Sequence, residues 1–240
     1  MMSFRFRSLG WIAGLALLCG LIVPPTAAQT TETYDVSGFS ELEMGVRGTA
    51  YVSQGGTESL EITGPEDVLE DIRVDVSNGR LTIDYTEQNW VSRFFSGDRD
   101  EVEVRVTMSR INDLSVNGAG TIVGETSIES GDLRLGVSGA GEMDLDLDAQ
   151  TLRTEISGAG EMTLSGSTAE HTIQISGAGE VDAANLETAD SSIRVSGAGQ
   201  CTVHATNTLD VSVSGAGSVR YKGQPKVSQS VSGAGSVKAL

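Results

Sequence analysis

One tetrapeptide dictates most of what this chain can become. Ser-Gly-Ala-Gly occurs at Ser138–Gly141, Ser157–Gly160, Ser176–Gly179, Ser196–Gly199, Ser214–Gly217 and Ser232–Gly235, and Asn117–Gly120 differs only by Asn for Ser. The first glycines are Gly118, Gly139, Gly158, Gly177, Gly197, Gly215 and Gly233, spaced 18–21 residues apart. The second are Gly120, Gly141, Gly160, Gly179, Gly199, Gly217 and Gly235. A fixed period of this kind marks one small structural unit that buries its apolar face only by stacking on its copies.

Aligning the copies shows what the unit is. Before each motif stand Val116, Val137, Ile156, Ile175, Val195, Val213 and Val231, and two residues earlier Leu114, Leu135, Thr154, Ile173, Ile193, Val211 and Gln229. Two residues after the second glycine come Ile122, Met143, Met162, Val181, Cys201, Val219 and Val237. Residues between these positions are mostly polar. Period-2 alternation on both sides of a glycine turn predicts strands and excludes amphipathic helices. Short strands around one recurring turn predict an all-β fold, a parallel β-helix (β-solenoid). Seven coils at about 4.8 Å each form a rod on the order of 30 Å long. Glycine opens backbone angles closed to other residues, and the alanine between is expected to be the largest side chain that fits such a corner.

Residues 113–240 hold the repeats, and 34–112 are expected to form amino-terminal rungs and a cap within one domain, 34–240. Phe39–Val52 alternates like a degenerate first rung. Pro65–Ile72 reads as a helical turn with Pro65 in its first position and Glu66 and Asp67 near its amino end. Asn78-Gly79 between Val74–Val76 and Leu81–Tyr85 is a hairpin signal. Seven of the eight aromatics beyond residue 28 lie in 34–95, which fits bulkier packing at that end.

Residues 1–28 read as a secretory signal peptide. Arg5 and Arg7 precede an uncharged run, Leu9–Val23, and Thr26-Ala27-Ala28 supplies small residues for cleavage after Ala28. The run is short for a bilayer span of roughly 20 residues, and no later segment offers a transmembrane span. Residues 29–33 are expected to be a short linker. Cleavage removes two arginines and no acid from a chain with 16 basic and 33 acidic residues. So acidic a protein is a poor nucleic-acid ligand. Cys201 is then the single thiol, so no internal disulfide is expected in this exported chain. Charge is uneven: residues 191–240 carry Asp210 against Arg194, Arg220, Lys222, Lys226 and Lys238.

The Phe39–Val52 segment, Leu60–Thr63 before Gly64-Pro65, Asn78–Ile83 and the repeated Ser-Gly-Ala-Gly together resemble the bacterial GIN-domain family, DUF2807, whose members are described as putative auto-transporter adhesin heads. The resemblance spans residues 34–240. It implies a right-handed parallel β-helix shaped like pectin lyases but without their catalytic residues, and a role in cell adhesion.

Candidate sites are few. Glu142, Glu161 and Glu180 follow the motif in consecutive coils, with Asp144 and Asp182 two residues on and Asp146 and Asp148 beyond. Like charges at coil spacing repel, and Ca²⁺ takes several carboxylate oxygens. The plain alternative is a solvated acidic face. Trp90, Arg93, Phe94 and Phe95 combine aromatics with arginine, as binding hot spots do, or fold back as a cap. The serine column from Ser138 to Ser232 lacks a base and an orienting group and is expected to hydrogen-bond within the turns. His171 replaces a leucine seen at Leu133, Leu152 and Leu209 and is expected to be half-buried. His204 is placed outward, and Cys201 inward.

The leading expectation is an exported, non-enzymatic β-helix of the periplasm, cell surface or medium that contacts an envelope protein, surface protein or glycan. A cation-binding acidic surface and a polysaccharide-binding or -cleaving β-helix are the alternatives. The last coil, Val231–Leu240, has no evident cap and is expected to invite homo-oligomerisation.

Overall fold

The computed structural model describes residues 29–86 and 101–240. Residues 1–28, expected as a signal peptide, and the candidate contact residues Trp90, Arg93, Phe94 and Phe95 lie outside the described residues. From the amino end the chain forms β1 (Gln29–Tyr34), β2 (Glu41–Met44), β3 (Gly48–Gln54), β4 (Ser59–Pro65), the one-turn helix α1 (Glu66–Leu69), β5 (Ile72–Ser77), β6 (Arg80–Tyr85) and β7 (Val102–Met108). The repeats follow as β8 (Asp113–Gly118), β9 (Thr121–Gly124), β10 (Ile128–Gly139), β11 (Glu142–Gly158), β12 (Glu161–Gly177), β13 (Glu180–Gly197), β14 (Gln200–Gly215), β15 (Ser218–Lys222), β16 (Lys226–Gly233) and β17 (Ser236–Ala239).

The repeat region is a β-solenoid of stacked parallel strands. Its register aligns the motifs coil on coil: Gly118 faces Gly139, which faces Gly158, then Gly177, Gly197, Gly215 and Gly233. The columns anticipated as inward are inward: Val116, Val137, Ile156, Ile175, Val195 and Val213 are buried, as are Ile122, Met143, Met162, Val181, Cys201 and Val219. Each buried aliphatic of this kind contributes roughly 1.5–3 kcal/mol. Within β11 the inward phase runs Met143, Leu145, Leu147, Ala149 and then restarts at Leu152, Thr154, Ile156. The phase slip at Gln150–Thr151 is a second corner, so the coil has two faces, 142–149 and 152–158.

The motif corner is held by backbone. Ala178 N donates to Gly158 O at 2.8 Å and Glu180 N to Gly160 O at 2.9 Å, and the same pair of bonds recurs in the coils from Ala140 to Ser236. The first glycine of each motif has φ between 110° and 128°, and the second packs on the residue before the preceding motif. A Cβ on Gly179 would lie 2.5 Å from Ile156 Cγ2. The alanines between them are exposed from Ala119 to Ala234. The corner therefore demands its glycines but sets no ceiling on the alanine, contrary to expectation, because that side chain points to solvent.

At the amino end the hairpin forms as anticipated: β5 and β6 are antiparallel, with Asn78 and Gly79 at φ 53° and 82°. Helix α1 forms too, but Pro65 sits one position earlier than expected, as the N-cap with φ −60° and ψ 139°. Two further differences are larger. The Phe39–Val52 segment is not the outermost rung, because β2 lies parallel between β6 and β8 and β3 between β7 and β9. Strands β6 and β7 lie outside it, and their outer edge is closed by antiparallel strands, β5 on β6 and β1–β4 on β7. Residues 29–33, expected as a linker, are part of β1, whose register with β4 brings Thr31 and Thr63 hydroxyls to 2.8 Å.

The carboxy-terminal coil is exposed. All residues of β16 are exposed, and Val227, Val231 and Leu240 are the exposed large hydrophobics of the described residues. The terminal coil repeats the inward pattern, and among the described residues no strand stacks on its far side.

Candidate functional site

The acidic column assembles as the repeat alignment requires. Glu142, Glu161 and Glu180 face one another in register and are all exposed, and Gln200 continues the column. Asp144 faces Thr163, which separates it from Asp182. Asp146 and Asp148 accept hydrogen bonds from Ser165 and Ser167 at 3.0 and 2.8 Å. Among the described residues, no group of three or more His, Cys, Asp or Glu converges as metal ligands would. A calcium site takes six to eight oxygens from converging groups, whereas these carboxylates stand in a line along a flat face, splayed into solvent.

The reactive-looking side chains are sealed. Cys201 is 1% exposed, and burial pushes its thiol well above the usual range, with Asp182 adding to the rise. Intermolecular pairing through it has no path in the folded state, since the thiolate is the species that reacts. His171 is fully buried and not half-buried as the column substitution suggested: its ring takes the leucine's inward place. Its Nε2 lies 2.8 Å from the Thr154 hydroxyl, and burial pulls its pKa down to about 3. Ser191 follows it in register, and His171 Nδ1 and Ser191 Oγ are both buried without a hydrogen-bond partner. His204 is half-buried on β14, between Glu187 and Lys222 in register.

The motif serines Ser138, Ser157, Ser176, Ser196 and Ser214 stand exposed. None makes a side-chain hydrogen bond among the described residues, contrary to expectation, because the turn's backbone groups are already bonded to the neighbouring coil. Among the described residues none of them is hydrogen-bonded to a base, the contact that activates a nucleophile.

The structure adds a site that motif reasoning did not reach. Where the second corner meets the face beginning at Leu152, a recess of about 620 Å³ opens between coils, lined by Arg80, Asp113, Arg134 and Arg153 with Glu41 and Asp132. The strand register stacks Arg80 on Glu41, Glu41 on Asp113, Asp113 on Arg134 and Arg134 on Arg153. Arg80 is held by Glu41 at 2.8 Å, Glu43 at 3.2 Å and Asp113 at 3.8 Å. Burial raises the Asp113 pKa, and the nearby Arg80 and Arg134 oppose that rise. Arg134 and Arg153 have no ion pair among the described residues. Their isolation in sequence hid them; aligning the position four residues before each motif serine would have placed them side by side.

Comparison with known proteins follows the architecture. No functionally curated protein matches the chain. Among solved structures, a putative adhesin from Bacteroides fragilis NCTC 9343 superposes with a TM-score of 0.82 at 27% identity, covering 90% of this chain and 99% of that one. A putative adhesin from Parabacteroides distasonis ATCC 8503 gives 0.71 at 22% identity over 89% and 98%. A second protein of that strain, described as a putative lipid binding protein, gives 0.67 at 19% over 88% and 96%, and these two speak to the fold alone. The family model for DUF2807, "Putative auto-transporter adhesin, head GIN domain", matches residues 38–225, and this chain belongs to that family.

Proposed function

We propose that this protein is an exported, non-enzymatic β-solenoid that holds a partner at the cell envelope or surface, as an adhesin-like module. The observation that carries the reading is the contrast between its inside and its outside. His171 and Cys201 are sealed in the core, while every coil presents rows of fixed, exposed side chains. Membership of an adhesin-described family and the 27% identical adhesin-described neighbour support the same reading. Crosslinking in intact cells, followed by recovery of the protein from the envelope fraction, is expected to capture a discrete surface protein or glycan. Turnover of a polysaccharide by the purified protein, or its recovery solely from the cytosol, would overturn it.

Self-association through the carboxy-terminal coil is a second reading, favoured by the exposed Val227 and Val231 on β16, which pairs with β14 on one edge only among the described residues. Edge strands of this kind pair with copies of themselves. Light scattering is expected to show a concentration-dependent dimer that Val231→Lys returns to monomer. A wild-type protein that stays monomeric at high concentration would exclude this pairing.

A further inference from the structure

The recess at Arg134 and Arg153 sets two cations without an ion pair side by side. Two other arginines of the acidic body are neutralised: Arg80 by Glu41 and Glu43, and Arg105 by Glu103 at 2.8 Å and Glu125 at 2.9 Å. Arg134 and Arg153 are exposed, lie in register on adjacent coils and have no ion pair among the described residues. Glu155, two residues along the same face, reaches neither. Two guanidinium groups on backbones about 4.8 Å apart repel, and an anion bridging them relieves that repulsion. Guanidinium is also the side chain suited to gripping a planar carboxylate with paired hydrogen bonds.

The walls narrow the class of anion. Glu41, Asp113, Asp132 and Asn112 border the same recess. Three carboxylates disfavour a phosphate group or a polyanion, whose multiple charges would meet them. The same groups are strong acceptors for hydroxyl protons. Gly131 leaves the rim open, since a Cβ there would meet nothing within 4 Å. About 620 Å³ falls within the span of small-molecule sites, roughly 300–1,000 Å³. A singly charged, hydroxyl-rich acid uses every part of this arrangement, with its carboxylate on the arginines and its hydroxyls on the acids and the amide.

We propose that the recess formed by Arg134, Arg153, Asp113, Asp132 and Asn112 binds a uronic-acid unit of a surface glycan, its carboxylate bridging Arg134 and Arg153. The proposal rests on the adhesion reading and names the ligand class of that role. The acidic body excludes densely charged polyanions at a distance, so the ligand is an isolated acidic residue within or at the end of a largely neutral chain.

The purified protein is titrated with D-glucuronate, D-galacturonate, D-glucose and inorganic phosphate, followed by saturation-transfer NMR and calorimetry. A uronate is expected to bind at least about tenfold more tightly than glucose, which lacks the charge-assisted pair, and than phosphate, whose second charge meets Glu41, Asp113 and Asp132. Arg134→Gln and Arg153→Gln are each expected to weaken uronate binding about tenfold without moving the melting temperature, and Arg220→Gln at the far end to leave binding unchanged. Binding of neither uronate, glucose binding as well as uronate, phosphate binding more tightly, or indifference to both arginine substitutions would each overturn the site. If uronate binding fails while crosslinking still captures an envelope partner, the recess is wrong and adhesion stands. If uronate binds and nothing is captured from cells, the recess stands and the adhesion reading falls.

Discussion

Gly177→Ala is expected to lower stability by roughly 3–5 kcal/mol, a large part of the 5–15 kcal/mol that holds a domain of this kind folded. The backbone at Gly177 has φ 123°, a region that costs a side chain on the order of 1–3 kcal/mol. A Cβ there would also sit 2.4 Å from the carbonyl oxygen of Gly158 and 3.2 Å from its carbonyl carbon and nitrogen. That oxygen accepts the Ala178 N–H, so moving it away breaks a ladder bond worth about 1 kcal/mol. The same collision recurs on the coils either side, and in a stack stabilised by nearest neighbours the loss spreads to both. Urea denaturation followed by circular dichroism measures the change. Ala178→Ser, one residue on and exposed, is expected to stay within about 0.5 kcal/mol of wild type. A Gly177→Ala protein with the wild-type midpoint would refute the stacked-carbonyl corner.

Much of the solenoid was legible because its information is periodic. Seven copies of one turn set the register, and the columns read from the alignment are the buried columns of the structure, from Val116 to Val213. The corner at Gln150–Thr151 was less visible, since it is marked by a slip in alternation and not by a fixed residue. Glycines outside the motif serve a similar purpose: a Cβ on Gly166 would run into the carbonyl of Leu147. The amino-terminal order was not legible at all. Alternation shows that Glu41–Gln54 is strand, but which later segment covers it depends on long-range pairing, and β2 accepts β6 and β8 alike. β1 escaped notice because Gln-Thr-Thr-Glu-Thr-Tyr has no apolar face, and its pairing with β4 rests on backbone and threonine contacts.

The site was less legible than the fold for a related reason. Glu142, Glu161 and Glu180 stand out because each directly follows a motif and one residue type fills three successive coils. Arg134 and Arg153 are 19 residues apart, each between buried positions, in a column that otherwise holds Asp113, Thr172, Ser192, Asp210 and Ser228, and they become neighbours only when outward columns are aligned as carefully as inward ones. His171 was recognised as a column substitution, but its full burial depends on Thr154 of the preceding coil, which supplies a partner at 2.8 Å.

That buried histidine carries the second large effect. Unfolded, His171 protonates with an ordinary pKa near 6.5; folded, burial holds it neutral down to about 3. Between those values the unfolded state binds the extra proton, so the contribution to stability falls as pH drops from 6.5 towards 3 and is complete above 6.5. At pH 4.5 the loss is on the order of 2–3 kcal/mol. Leucine occupies the equivalent position at Leu133, Leu152 and Leu209, and the Thr154 column is apolar at Leu114, Leu135, Ile173, Ile193 and Val211, with Gln229 in the terminal coil. His171→Leu with Thr154→Val therefore removes both hydrogen-bonding partners and restores the apolar pattern, a change that is near neutral or stabilising at pH 7. It also removes the unpartnered His171 Nδ1. The many surface carboxylates titrate alike in both proteins, so the difference between them isolates the histidine. Denaturation at pH 7.0, 6.0, 5.0 and 4.5 is expected to show the double variant gaining on wild type step by step below pH 6.5. Parallel curves would mean that His171 protonates as easily inside the solenoid as outside it, and that the core is wet at that coil.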